Sequence, residues 1–296
     1  MRSIVAASAG IMLATVGLSA QAPPADTDIY LAPLRLRDGW VAVGSARNLT
    51  NRAGYDNQPY FSPDGRSILY TARISDTQTD IFRYDIRTSR TTQVTRTPES
   101  EYSPTPTPTG GFSVIRVEAD SAQRLWRFDD NGANPRVLLP TVRPVGYQAW
   151  INPNSLALFV LGSPASLRLG NVRSGQADSL VANIGRAIQK IPRYEGASFV
   201  QRGADSVMWV QRVHGGTRAI KPIAKLPAGS EYHAWTPRGA LLTTNGSKLL
   251  EWTPINGGEW REVADFSAQG IRLSRIAISP RGDWIALVGE RPAATR

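Results

Sequence analysis

Cysteine is absent from the 296-residue chain. That removes disulfide staples, thiolate metal centres and thiol nucleophiles together. Histidine occurs only at His214 and His233, so a histidine-built zinc site or a Ser-His-Asp triad has very few places to form. Lysine is scarce as well: Lys190, Lys221, Lys225 and Lys248 stand against thirty arginines. No Gly-x-Ser-x-Gly elbow, His-Glu-x-x-His pair or phosphate loop occurs. No run of five basic residues occurs either, so the net charge of +10 reads as arginines scattered over a surface, and no nucleic-acid partner is expected.

What is present points to a β-rich globule. Hydrophobic residues make up 41 % of the chain, too many for a disordered segment. Gly (26) and Pro (21) together reach about 16 %, above the roughly 12 % usual in globular chains, which favours many turns and argues against a helical bundle. At its head, Arg2 is followed by an uncharged stretch from Ile4 to Leu18 and then Ala20-Gln21-Ala22. Together they have the layout of an export signal: a positive start, a short apolar core and a small-x-small cleavage site. The stretch is short for a membrane span, so no stable insertion is expected after cleavage. The expected organisation is a signal peptide at 1–22, a linker at 23–27, a folded body at 28–290 and a tail at 291–296, placing the product in the periplasm or outside the cell.

The body carries an internal repeat. Tyr60-Phe61-Ser62-Pro63-Asp64-Gly65-Arg66-Ser67-Ile68-Leu69-Tyr70 recurs as Ile278-Ser279-Pro280-Arg281-Gly282-Asp283-Trp284-Ile285 and as Trp235-Thr236-Pro237-Arg238-Gly239-Ala240-Leu241. Weaker copies centre on Pro108, Pro153 and Gln201. The six anchors are 45, 45, 48, 36 and 43 residues apart, the period of propeller blades. In the first unit, Gln58–Ser62, Ser67–Ala72, Asp80–Asp85 and Thr91–Thr95 read as a four-stranded meander around turns rich in Pro and Gly. Segments similar to the third of these strands are Arg124–Phe128, Ser166–Leu169, Thr217–Ile220 and Lys248–Trp252. The last unit stops after two strands, and the head of the body, Asp28-Ile29-Tyr30-Leu31-Ala32 and Arg47-Asn48-Leu49-Thr50, resembles the two that are missing. The expectation is an all-β six-bladed propeller of four-stranded antiparallel blades, its ring closed by N-terminal strands completing the last blade, which leaves no open edge.

The Ser62-Pro63-Asp64-Gly65 turn, its apolar strand and Asp80-Ile81-Phe82-Arg83-Tyr84-Asp85 resemble the repeat of the TolB-type propeller family, also called PD40 or WD40-like. The resemblance implies an exported propeller whose relatives mostly bind proteins in the cell envelope. About thirty residues between the leader and the first unit leave no room for the α/β domain that TolB carries ahead of its propeller.

Propellers bind at the loops leading into their innermost strands. Five to seven residues before each anchor stand Asp56, Asn57 and Gln58; Glu101, Tyr102 and Ser103; Gly146, Tyr147 and Gln148; Tyr194, Glu195 and Gly196; Ser230, Glu231 and Tyr232, followed by His233; and Leu273, Ser274 and Arg275. Four carboxylates and several tyrosines are thus expected on one rim. They could simply solvate a wet channel. As a binding surface, tyrosines would give flat contact area and carboxylates would attract a basic or hydroxyl-rich partner. Oxygen ligands from Asp56, Glu101, Glu195 and Glu231 would suit Ca²⁺. Glu195 and Glu231 could act as a paired-carboxylate glycosidase centre, with His233 as a general base. The favoured expectation is a non-catalytic binding or scaffold protein without a cofactor, docking a protein or peptide in the envelope. A carbohydrate-active or metal-dependent enzyme at the same mouth is the alternative.

Overall fold

The computed structural model describes residues 26–37, 40–254 and 257–290. The leader at 1–22 and the tail at 291–296 lie outside the described residues. Six antiparallel sheets follow one another around a ring. Blade 1 runs from the inside outward through Asp56–Phe61, Ser67–Arg73, Thr79–Asp85 and Arg90–Gln93, and blade 2 through Ser100–Pro106, Phe112–Val117, Gln123–Phe128 and Arg136–Leu138. Blades 3, 4 and 5 repeat the meander from inner strands Val145–Trp150, Ile184–Lys190 and His233–Trp235. In blade 6, Arg272–Ile278 and Trp284–Glu290 come from the tail, and Thr27–Arg37 from the head pairs with Trp284–Glu290 in an unbroken register from Thr27↔Glu290 to Pro33↔Trp284. Two short strands, Trp40–Val43 and Arg47–Asn48, share the outer position of that blade. Thr105 and Pro106 lie on an innermost strand, where proline is tolerated.

The alternation of each second strand explains why the blades stack. In Ser67–Arg73, Ile68 and Tyr70 pack toward blade 6 against Ile29, Leu31 and Ala286. Leu69, on the other face, joins Phe112, Val114 and Phe128 of blade 2. Every blade interface carries such a cluster, so neither face of any sheet meets water alone. Two tryptophans add directional locks: Trp150 Nε1 donates to Ser113 Oγ of blade 2 (2.9 Å) and Trp235 Nε1 to Ser198 Oγ of blade 4 (2.8 Å).

One unit departs from the expected register. The turn joining the first two strands of blade 4 is Ile191–Glu195, anchored by Pro192 rather than Gln201, which lies within the second strand Gly196–Arg202. The corrected anchor is 39 residues from Pro153 and 45 from Pro237. The turn escapes a Pro-x-Gly pattern because its left-handed residue is Arg193 (φ 58°), whereas glycine takes that conformation at Gly65 (φ 70°) and Gly239 (φ 93°). The third strand of blade 4 is accordingly Met208–His214, with Ile220 opening the fourth.

Candidate functional site

The two ends of the ring are built differently. At one end lie the turns that join the first two strands of each blade, four of them Pro-x-Gly. At the other, the starts of five inner strands carry register slips, at Asn57/Tyr60, Tyr102/Thr105, Val145/Tyr147, Ile184/Ile188 and Leu273/Ile276. Gln58 (φ 56°) and Ser103 (φ 54°) hold left-handed backbone at two of them. A bulge breaks the strict in–out alternation, so successive residues of one strand can both serve the channel.

The result is a bowl of about 1060 Å³. Its lining includes Asn57, Gln58, Tyr102, Tyr147, Glu231, Tyr232 and Arg275, seven of the residues expected at the rim. Tyr55 and Arg186 also line it and escaped the sequence reading. Arg186 stands six residues before Pro192, the offset that Asn57, Tyr102, Tyr147 and Glu231 hold from their own anchors. The misplaced anchor in blade 4 concealed it.

Arg275 is the hub. Its guanidinium donates to Tyr147 Oη (2.7 Å) and Asn57 Oδ1 (3.2 Å). It lies 4.4 Å from the ring centroid of Tyr232 and 5.4 Å from that of Tyr147, the geometry of cation–π attraction. Burial alone would lower its pKa, but Tyr147, Tyr232, Tyr55 and Glu231 around it keep the value above the ordinary one. Burial pushes the Tyr55 and Tyr232 hydroxyls upward, so the cage is neutral phenol around a charged guanidinium. On the rim beside it, the Arg186 backbone N–H donates to Glu231 Oε1 (3.2 Å).

The other expected residues lie elsewhere. Asp56 and Glu101, seven residues before their anchors, turn away into the blade interfaces and are fully buried. Asp56 pairs with Arg52; Glu101 pairs with Arg116 (3.1 Å) and accepts from Thr95 (3.1 Å) and Thr97. Burial raises both carboxyls above their ordinary range, Asp56 to about 6. Tyr194 and Glu195 belong to the turn at the far end of a seven-residue strand, roughly 20 Å from the bowl. There the Tyr194 ring meets His214 edge-on at 5.6 Å, and the Glu195 carbonyl accepts from Gly215. Glu195 and Glu231 therefore stand on opposite faces and form no carboxylate pair. Gln148 and His233 lie below the bowl in a throat of about 80 Å³. His233 is wholly buried, 2.7 Å from Ser198 Oγ, and burial pushes its pKa down to about 3, so it is neutral at physiological pH. Among the described residues no group of three or more His, Asp or Glu is placed to hold a metal ion, and no helix is long and apolar enough to cross a membrane.

Fold and mouth together define a six-bladed β-propeller with a tyrosine- and arginine-lined bowl at one end. No family model and no curated protein matches the chain. Among solved structures, a TolB-type protein of Agrobacterium tumefaciens superposes with a TM-score of 0.72 at 15 % identity, covering 91 % of this chain and 100 % of that one. TolB of Acinetobacter baumannii gives 0.58 at 11 % identity, with 88 % of this chain matched to 63 % of that one. An oligogalacturonate lyase of Vibrio parahaemolyticus gives 0.53 at 10 % identity, covering 92 % and 100 %. The architecture is that of the TolB-type propellers, without an implied activity.

Proposed function

We propose that this chain is an exported, non-catalytic binding or scaffold propeller of the cell envelope that docks a protein or peptide segment in its bowl. The observation that carries the reading is Arg275 held against the rings of Tyr147 and Tyr232, with Tyr55 and Tyr102 also lining the bowl. Partly buried tyrosines supply rigid contact area at small entropic cost, and a concave mouth of this volume takes a loop or a chain end. The TolB-type architecture supports the same reading by analogy of fold. No resident cofactor or Ca²⁺ forms part of it: Asp56 and Glu101 are buried away from the bowl, paired with Arg52 and Arg116. The fold shared with a lyase favours a second reading, an enzyme at the same mouth, but the Glu195/Glu231 pair that it would use is split between the two faces.

Photo-crosslinking in the producing cells tests the reading. A photoreactive residue in place of Tyr102 or Glu231 should capture one discrete partner, and the same residue in place of Thr109 or Arg193, at the turn end, should not. Capture from the turn end alone, or from neither, sinks the proposal.

A further inference from the structure

The bowl's charge is the reverse of what its sequence suggested. Of the four carboxylates expected there, two are consumed in buried ion pairs and one lies on the other face, so Glu231 alone remains. Beside it stand Arg186 and Arg275, and Arg272 faces Glu290 at 3.8 Å. Arg275 has only neutral hydrogen-bond partners, Asn57 and Tyr147; among the described residues no carboxylate lies within salt-bridge distance of it. Those two bonds use two of the five N–H donors of a planar fork suited to a carboxylate. A half-buried guanidinium held without an anion is costly, and this one is offered to the bowl.

A second observation lies directly beneath. The throat, which Arg275 also lines, is walled by Ser103, Gln148 and His233, and their Oγ, Oε1 and Nδ1 atoms are buried without a hydrogen-bond partner. These side chains are more than nine-tenths buried. A carboxylate on the guanidinium can accept from the Ser103 hydroxyl, and a carboxyl or hydroxyl proton is needed to satisfy Gln148 Oε1; an apolar tip leaves these groups unsatisfied and an ammonium meets the like charge of Arg275.

We propose that the docking group is a carboxylate, seated on the Arg275 guanidinium between the rings of Tyr147 and Tyr232, with Arg186 as a second cationic arm at the rim. The proposal rests on the bowl being the docking site, and it fixes the chemistry: an acidic side chain or free C-terminus of a peptide, or the carboxylate of an acidic sugar.

The test is an NMR titration of the intact protein that follows the arginine Nε–H signals. The probes are acetyl-Glu-Glu-Glu-amide, triglycine with a free C-terminus and digalacturonate, with the Gln₃ and Lys₃ amides as controls. The expected result is a saturable shift of the Arg275 signal with at least one carboxylate probe and with neither control; which probe binds separates side chain, chain end and sugar. Glu231→Gln should tighten that binding about two- to five-fold by removing a like charge. Arg186→Gln, an exposed substitution that leaves folding intact, should weaken it by a similar factor, and Arg275→Gln should weaken it at least ten-fold. Silence with all three carboxylates, an equal response to Lys₃, or weaker binding by Glu231→Gln overturns the proposal. Crosslinks from the bowl without a carboxylate response would leave the docking reading standing and remove this one; a carboxylate response without crosslinks would do the opposite.

Discussion

The two ends of this ring share the same strands and little else. At the turn end, short Pro- and Gly-rich loops reverse the chain with the least material, and their side chains bond mainly within the turn, as Ser62 Oγ does to Asp64 (2.6 Å) and Ser279 Oγ to Asp283 (2.6 Å). At the bowl end five inner strands slip register, and a guanidinium sits among neutral phenols with Asn57 and Tyr147 as its hydrogen-bond partners. Left-handed non-glycine residues occur at both ends, Arg193 among them at the turn end, whereas the register slips and the unpaired charge gather at the bowl end, as they do at functional sites. On the proposed docking role, the turn end serves stability and the bowl end gives some of it up to hold that cation.

Substitutions can break or sharpen that division. Tyr232→Ala, which removes the platform nearest Arg275, should cost about 2–3 kcal/mol of partner affinity, a loss of roughly thirty-fold or more, read as Kd on the folded protein once the crosslinked partner is in hand. Gly282→Ala tests the opposite end. Its φ is 71°, and an added Cβ would lie 2.6 Å from Leu36 Cδ1. The expected loss is about 2 kcal/mol of stability, a fall of roughly 4–8 °C in Tm, with binding intact. Gly239→Ala, left-handed at φ 93° but facing open space, should cost about 1 kcal/mol, and a drop as large as that of Gly282→Ala would show that backbone conformation outweighs the clash.

The buried acids give a pH test. Because the folded-state pKa of Asp56 is raised, the native chain binds its proton more tightly than the unfolded chain. This contribution to stability is complete below the ordinary carboxylate value near 4 and is lost as pH rises through about 6. Asp56→Asn should flatten the dependence of unfolding free energy on pH across that window, by about 1–2 kcal/mol, as measured by denaturant titration; an unchanged slope would assign it to other groups. The smallest effect is expected of Glu195→Gln: on the turn face, it should leave partner affinity within two-fold of the parent.

The same division decides what could be read from sequence. Turn chemistry repeats because sterics repeat, so five of six anchors were legible, and the sixth failed where Arg193 does what glycine does elsewhere. The shared blade was legible because Asp28 and Asp80 occupy equivalent places: each carboxylate accepts from an amide on the next strand, Asn48 at 2.9 Å and Gln93 at 2.5 Å. The bowl was legible only in part. Tyr102, Tyr147 and Arg275 fall where spacing puts them. Whether a neighbour such as Asp56 or Glu101 faces water or a blade interface depends on a bulge, which leaves no reliable mark in the sequence. Arg186 was hidden by the displaced anchor, and His233 and Gln148 by the narrowing of the channel beneath their loops.

The seam between head and tail also sets a timetable. Thr27–Arg37 pairs with Trp284–Glu290, strands about 250 residues apart in sequence, and contacts of such separation form late, after the chain between them has been drawn together.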